Sequence, residues 1–391
     1  MHILLSLAAA MFAGLLFTRP AKKIGLPNVT AYLVAGLVVG PYCLGAIPKN
    51  STEILGTVTT AALGFIAFSI GSEFKISDLK HVGTRITVIT LFEALCAVFL
   101  VDTALIIARF PLPLSLMLGA IAAATAPAAT LMVVRQYKAK GPVTSTLLPV
   151  VAMDDAVCLI AFAVSSSLSF ALASGEALTF RAAVLEPLFE IAMSLVAGFV
   201  IGIAATYFIK FFHSRANFLC ITAAAILLGV GIAEQFNLSS LLLCMMIGAT
   251  IANMCNKADR VFEVTDGWTP PLFMLFFVIS GAQLDIAAIP SLGLIGVIYI
   301  FVRVIGKWAG AAIGAKLTHS EPTVCKYLGV TLLPQAGVAI GMAQLSLTRL
   351  PQYGTQIQAV ILCATLIYEL VGPILTKRAL ISAGEIEKNA K

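Results

Sequence analysis

Adjacent carboxylates at Asp154 and Asp155 interrupt the otherwise apolar run 147–172. The ionisable side chains that stand out in comparable runs are Glu93 in 86–108, Arg303 and Lys307 in 289–315, and Glu369 in 355–376. In so poorly solvated a setting each costs on the order of a few kcal/mol and needs a partner or a pathway. Neighbours on a helix point about 100° apart, so one aspartate can face a cavity while the other meets an adjacent helix. Two such carboxylates repel, and an ammonium nearby neutralises one of them. The other can hold a proton or a dehydrated monovalent cation but not both, because they compete for the same oxygens. Asp155 is therefore assigned cation and proton binding, and Asp154 is assigned to pair with Lys307. Arg303, four residues before Lys307, shares its helix face; Glu93 or an aspartate is its expected partner.

Counted at 1.5 Å per residue, Glu93, Asp154, Asp155, Lys307 and Glu369 lie roughly 10–12 Å inside the nearer end of their runs, at one level. Helix breakers fall close to that level. The run 114–134 contains Thr125-Ala126-Pro127, and 324–347 contains Leu333-Pro334-Gln335-Ala336-Gly337. Proline removes a backbone donor and clashes with the preceding turn, while glycine loosens the helix. Breaks are expected at Pro127 and across Pro334, Gln335 and Gly337. Their exposed carbonyls and half-helix ends would supply partial charges for a cation.

These residues need a scaffold, and the composition says which kind. Of 391 residues, 60% are hydrophobic and 11% charged, with a mean hydropathy of +1.00. A soluble domain carries about 25% charged residues, so a soluble enzyme, a disulfide scaffold and a disordered linker are excluded. The expected fold is an all-α integral membrane protein with about 13 spans, at 2–18, 28–47, 55–72, 86–108, 114–134, 147–172, 183–209, 217–233, 238–254, 270–284, 289–315, 324–347 and 355–376. The first is read as a span and not a cleaved signal, since no basic segment precedes it. Of the 25 Lys and Arg, only Lys49, Arg109, Arg181 and Arg349 follow even-numbered spans, and Arg303 and Lys307 lie within one. The others follow odd-numbered spans or lie in the tail. That bias puts the N-terminus outside and the C-terminus in the cytoplasm, and it assigns the net charge of +6 to topology, with no nucleic-acid partner. Most cysteines lie in apolar runs with no metal-like spacing and are read as small buried hydrophobes. No cofactor is expected.

The chain also repeats itself. Leu26-Pro27-Asn28-Val29 leading to Gly36 resembles Leu238-Ser239-Ser240-Leu241 leading to Gly248, and the run from Phe65 to Glu73 resembles that from Leu275 to Gln283. Spans 1–6 then match spans 8–13 in inverted topology, with span 7 as connector. Inverted repeats with interrupted helices in corresponding places are the pattern of secondary transporters.

Together with these motifs, Leu33-Val34-Ala35-Gly36-Leu37-Val38-Val39-Gly40-Pro41, Gly71-Ser72-Glu73-Phe74, Phe276-Phe277-Val278-Ile279-Ser280-Gly281 and Pro334-Gln335-Ala336-Gly337-Val338-Ala339 make the chain resemble the monovalent cation:proton antiporter-2 superfamily. Within it the likeness is to the bacterial two-aspartate sodium/proton exchangers. The resemblance implies a homodimer with two crossed discontinuous helices at the ion site. Dimer-domain helices would lie at 1–72 and 217–284, and core helices moving like an elevator at 86–172 and 289–376. A linker helix at 183–209 and a cytoplasmic tail at 377–391 complete the chain. It further implies that Asp155 binds the ion, that Asp154 and Lys307 form a salt bridge, and that Thr125 is a contact of the unwound helix. Two departures stand out. Ala126 occupies a position that is acidic in many members, and the nucleotide-binding domain of potassium-efflux members does not follow the last span.

The expected function is secondary active, electrogenic exchange of Na⁺ or K⁺ for protons at the inner (plasma) membrane. The alternative is a sodium-coupled symporter for an organic anion on a similar inverted fold. An intramembrane aspartyl protease would need its two aspartates on different helices, one in a Gly-x-Gly-Asp segment that this chain lacks. For a channel, nothing resembles a carbonyl filter or a ring of like charges.

Overall fold

A computed structural model describes residues 3–23, 28–48, 56–72, 74–76, 83–126, 130, 133–134, 137–173, 185–284 and 289–386. Among them the ordered structure is helical. The helices are α1 (Ile3–Lys23), α2 (Asn28–Val39), α3 (Gly56–Gly71), α4 (Thr84–Ile107), α5 (Leu112–Ala122), α6 (Pro142–Ala173), α7 (Glu186–Phe211) and α8 (Arg215–Phe236). They continue as α9 (Ser240–Met254), α10 (Ala258–Trp268), α11 (Pro270–Ala282), α12 (Ile289–Leu317), α13 (Pro322–Thr331), α14 (Gly337–Arg349) and α15 (Pro351–Ser382). Seven of these are long and apolar enough to cross a membrane, and five more are shorter apolar helices. Polar punctuation ends them where the sequence permits. The Ser214 and Ser239 hydroxyls accept from the backbone N–H groups of Asn217 and Leu242, capping α8 and α9. Asn237 adopts φ 54° to close α8.

Three features depart from the expected runs. The run 324–347 is two helices, α13 and α14, separated by non-helical residues 332–336. The run 114–134 leaves the helix at Ala123–Ala126 and is helical again at Thr130, Val133 and Val134; Pro127 lies outside the described residues, as do Glu73 and the tail beyond 386. The segment between the ninth and tenth runs, read as a loop, is instead the helix α10, which buries Val261, Phe262 and Thr265 and exposes Asp259, Arg260 and Glu263.

The chain forms two compact units. One comprises residues 1–15, 35–81 and 179–283; the other comprises 16–34, 82–178 and 284–391. In the first, α9 packs on α3 and α7, and α10 is held by ion pairs from Asp259 to Lys75 (2.6 Å) and from Glu263 to Arg215. In the second, α4 and α12 lie along one another. Gly306, Gly310 and Gly314 recur every four residues on α12, and a Cβ on any of them would meet α4: Ala97 Cα at 2.7 Å, the Phe92 carbonyl at 2.4 Å and Ile89 Cα at 2.8 Å. Only hydrogen at these positions lets the two backbones approach so closely.

Candidate functional site

All the charged groups singled out in the sequence lie in the second unit. The glycine contact between α4 and α12 brings Glu93 and Lys307 together. Lys307 Nζ donates to Glu93 Oε2 at 2.7 Å and to Asp154 Oδ2 at 3.0 Å. It also donates to Thr125 Oγ1 at 2.9 Å and to the Ala123 carbonyl. Four acceptors thus share three ammonium protons. Glu93, Asp154 and Lys307 are 0% exposed, and Asp155, the next residue of α6, is 3% exposed. Each of Glu93 and Asp154 keeps one buried oxygen (Oε1 and Oδ1) that meets no donor among the described residues.

Arg303 sits one helical turn from Lys307 and is equally buried. The expectation that it pairs with Glu93 or an aspartate is corrected: among the described residues no carboxylate lies within ion-pair distance of it. Its fork takes carbonyls instead. Nε donates to Ala122 O at 2.9 Å, one terminal nitrogen to Ala124 O at 2.6 Å and the other to Leu333 O at 2.8 Å. Its guanidinium lies 4.6 Å from the centre of the Tyr368 ring. The physical reason is the breaks themselves. A helix that stops in a buried place leaves its last carbonyls without donors, and its C-terminal end carries partial negative charge that favours a cation. Two such ends meet here, α5 and α13, and the two buried cations of α12 cap them.

The remaining groups of the breaks are matched to each other. The Ala126 N–H donates to Pro334 O at 2.8 Å, Thr125 Oγ1 to Leu332 O at 3.4 Å, and Gln335 Nε2 to Ile121 O at 2.9 Å. Pro334 has no N–H and disfavours helical geometry in the residue before it, which explains a break at Leu333. Gly337 begins α14. Glu369 is buried on α15 with an Oε1 that meets no donor among the described residues, and it is not joined to the cluster.

Sequence reasoning missed several contributors. Tyr299 exchanges hydrogen bonds with Gln335 at 3.0 and 3.2 Å; it lies four residues before Arg303, and the spacing 299, 303, 307 was a readable signal. Tyr368 left no signal beyond its neighbour Glu369. Glu385 was also missed. Its carboxylate accepts from the Val143 and Thr144 backbone N–H groups at 2.6 and 2.8 Å and from Thr144 Oγ1 at 2.6 Å. It thereby caps the start of α6, the helix that carries both aspartates, and places a negative charge where the helix dipole favours one.

Compared with known proteins, residues 7–381 match the profile of a family described as sodium/hydrogen exchanger, transmembrane. The Na(+)/H(+) antiporter of Enterococcus hirae is 24% identical over 373 residues, covering 92% of this chain and 94% of that protein. Na(+)/H(+) antiporter 1 of Methanocaldococcus jannaschii is 30% identical over 145 residues, which span 36% of this chain and only 34% of that relative. The solved structure of the sodium proton antiporter MjNhaP1 from the same organism at pH 8 superposes with a TM-score of 0.76, covering 97% of each chain at 21% identity. At that identity the likeness speaks for the fold.

Proposed function

The chain belongs to the transmembrane sodium/hydrogen exchanger family, and on that premise we propose that it is a secondary active antiporter exchanging a monovalent cation, Na⁺ or K⁺, for protons. One observation carries the proposal: a fully buried ammonium, Lys307, wedged between Glu93 and Asp154, with Asp155 adjoining. Arg303 is matched by three carbonyl dipoles but keeps its charge, so two buried cations stand against three carboxylates and one negative charge is in excess. A buried charge is retained only with a partner, and a proton or a monovalent cation can neutralise this one. The second aspartate offers a further proton site, and exchange of two protons for one cation is electrogenic.

Asp155, the less completely buried aspartate, takes the cation or a proton, and Thr125 adds an oxygen ligand. Asp154 alternates between Lys307 and the cation. Glu93 makes that alternation inexpensive, because Lys307 keeps a carboxylate partner when Asp154 turns away. The cluster lies within one compact unit, which supports elevator-type alternating access in which the core carries the site as a body, within a homodimer. Thirteen crossings in two inverted repeats, with the N-terminus outside and the C-terminus cytoplasmic in a cell inner membrane, complete the reading. A pair of helix contacts supports the repeats. A Cβ on Gly36 of α2 would strike the Val278 carbonyl of α11 at 1.9 Å, and one on Gly248 of α9 would strike the Phe68 carbonyl of α3 at 2.2 Å. The two contacts join equivalent positions under the repeat offset.

The test is collapse of a pH gradient in everted vesicles on adding Na⁺, K⁺ or Li⁺, repeated with Asp155→Asn. At least one cation should dissipate the gradient, and the variant should lose that response. Unchanged exchange in the variant would remove Asp155 from the site.

A further inference from the structure

We propose that the groove between the end of α12 and the start of α13 binds the headgroup of an anionic phospholipid. The groove, about 680 Å³, is lined by Trp308, Lys316, His319, Ser320 and Lys326 together with small and apolar neighbours, and no acidic side chain is among its lining residues. Lys316 and Lys326 are exposed, and among the described residues neither has a carboxylate within ion-pair distance. Two uncompensated ammonium groups and an imidazole around one concave space fit a phosphate.

The surface leading to the groove favours a lipid over a free anion. Along α12 the exposed apolar side chains Leu294, Val297, Phe301, Ile305 and Trp308 recur at spacings of three, four, four and three and lead to Ala312 and Lys316 in the groove, with Ile313 and Leu317 also exposed beside it. That period puts them on one helix face. An apolar stripe thus runs along the helix, through an exposed tryptophan, into a basic pocket. Basic pockets between helices at a membrane surface are suited to anionic headgroups. An acyl chain can lie along the stripe while the phosphate meets Lys316, His319 and Lys326. Trp308 Nε1 is already tied to the Lys326 carbonyl across the groove at 3.4 Å, which holds the two walls together.

The chain has two tryptophans, so Trp268→Phe leaves Trp308 as a single fluorescent reporter inside the site. The full-length variant is reconstituted in phosphatidylcholine vesicles doped with brominated phosphatidylglycerol, or with brominated phosphatidylcholine at the same fraction. Expected is quenching by the anionic lipid at a fraction about tenfold lower than by the neutral one. That preference should disappear when Lys316→Gln and Lys326→Gln are added, with the unfolding temperature unchanged because both lysines are exposed. Equal quenching by the two lipids, or a preference that survives the lysine substitutions, overturns the proposal. So does loss of the preference on adding millimolar inorganic phosphate at constant ionic strength, which would identify a soluble-anion site instead.

Discussion

Arg303→Lys preserves charge and removes geometry, which makes it the sharpest probe of the broken helices. The guanidinium satisfies three carbonyls on two chain segments, at 2.9, 2.8 and 2.6 Å. A single ammonium nitrogen cannot occupy the places of three nitrogens, so two of those carbonyls lose their donor. A buried acceptor left unmatched costs about 1–3 kcal/mol, and the lost stacking on Tyr368 adds up to ~1 kcal/mol. Together these come to roughly 2–7 kcal/mol, less what an entering water restores. Two of the carbonyls flank Ala123, whose own carbonyl binds Lys307, so the loss reaches the Lys307 cluster. The purified variant should unfold several degrees lower, followed by tryptophan fluorescence in detergent. Cation-driven collapse of the pH gradient, normalised to protein in the membrane, should fall at least about tenfold, as ~1.4 kcal/mol of misplacement suffices. If Arg303 served instead as a counter-charge to a carboxylate, lysine would substitute tolerably. A variant matching the parent in both assays would refute the carbonyl-capping argument.

Two further substitutions test the arrangement. Glu93→Gln keeps a hydrogen-bond acceptor for Lys307 but removes its second carboxylate, so a cation must compete harder for Asp154; the difference between a charged and a neutral hydrogen bond, ~1.4 kcal/mol, predicts an apparent KM for the cation raised about tenfold, measured by titrating cation against dequenching in everted vesicles, and an unchanged KM would argue against shared use of Lys307. Glu385→Gln turns one acceptor oxygen at the start of α6 into a donor facing an N–H group and removes the charge at the helix N-terminus. A loss of ~2 kcal/mol in stability is expected, seen as a lower unfolding temperature, and full stability would show that the cap is dispensable.

Much of the scaffold was legible because hydrocarbon leaves few options. Long apolar runs must form helices to satisfy their backbone, and each described run does hold one. Charges inside them were conspicuous for the same reason, so Asp154, Asp155, Lys307, Arg303 and Glu93 could be named without coordinates. The Pro334 break was readable from backbone chemistry. The helix α10 was not, because its polar residues resemble those of a loop until its four buried residues find a surface to cover. The cap from Glu385 joins residues about 240 apart in the chain, and no local pattern encodes such a pairing.

Sequence alone determined the solvent of this protein, the helical state of its apolar runs and the identity of the charges that must find partners, since all three follow from transfer costs that depend on residue type. Tertiary structure decided who pairs with whom. Arg303 and Lys307 share a helix face and a charge, yet one meets carbonyls and the other carboxylates. What separates them is where the ends of α5 and α13 fall, and how closely three glycines let α12 approach α4.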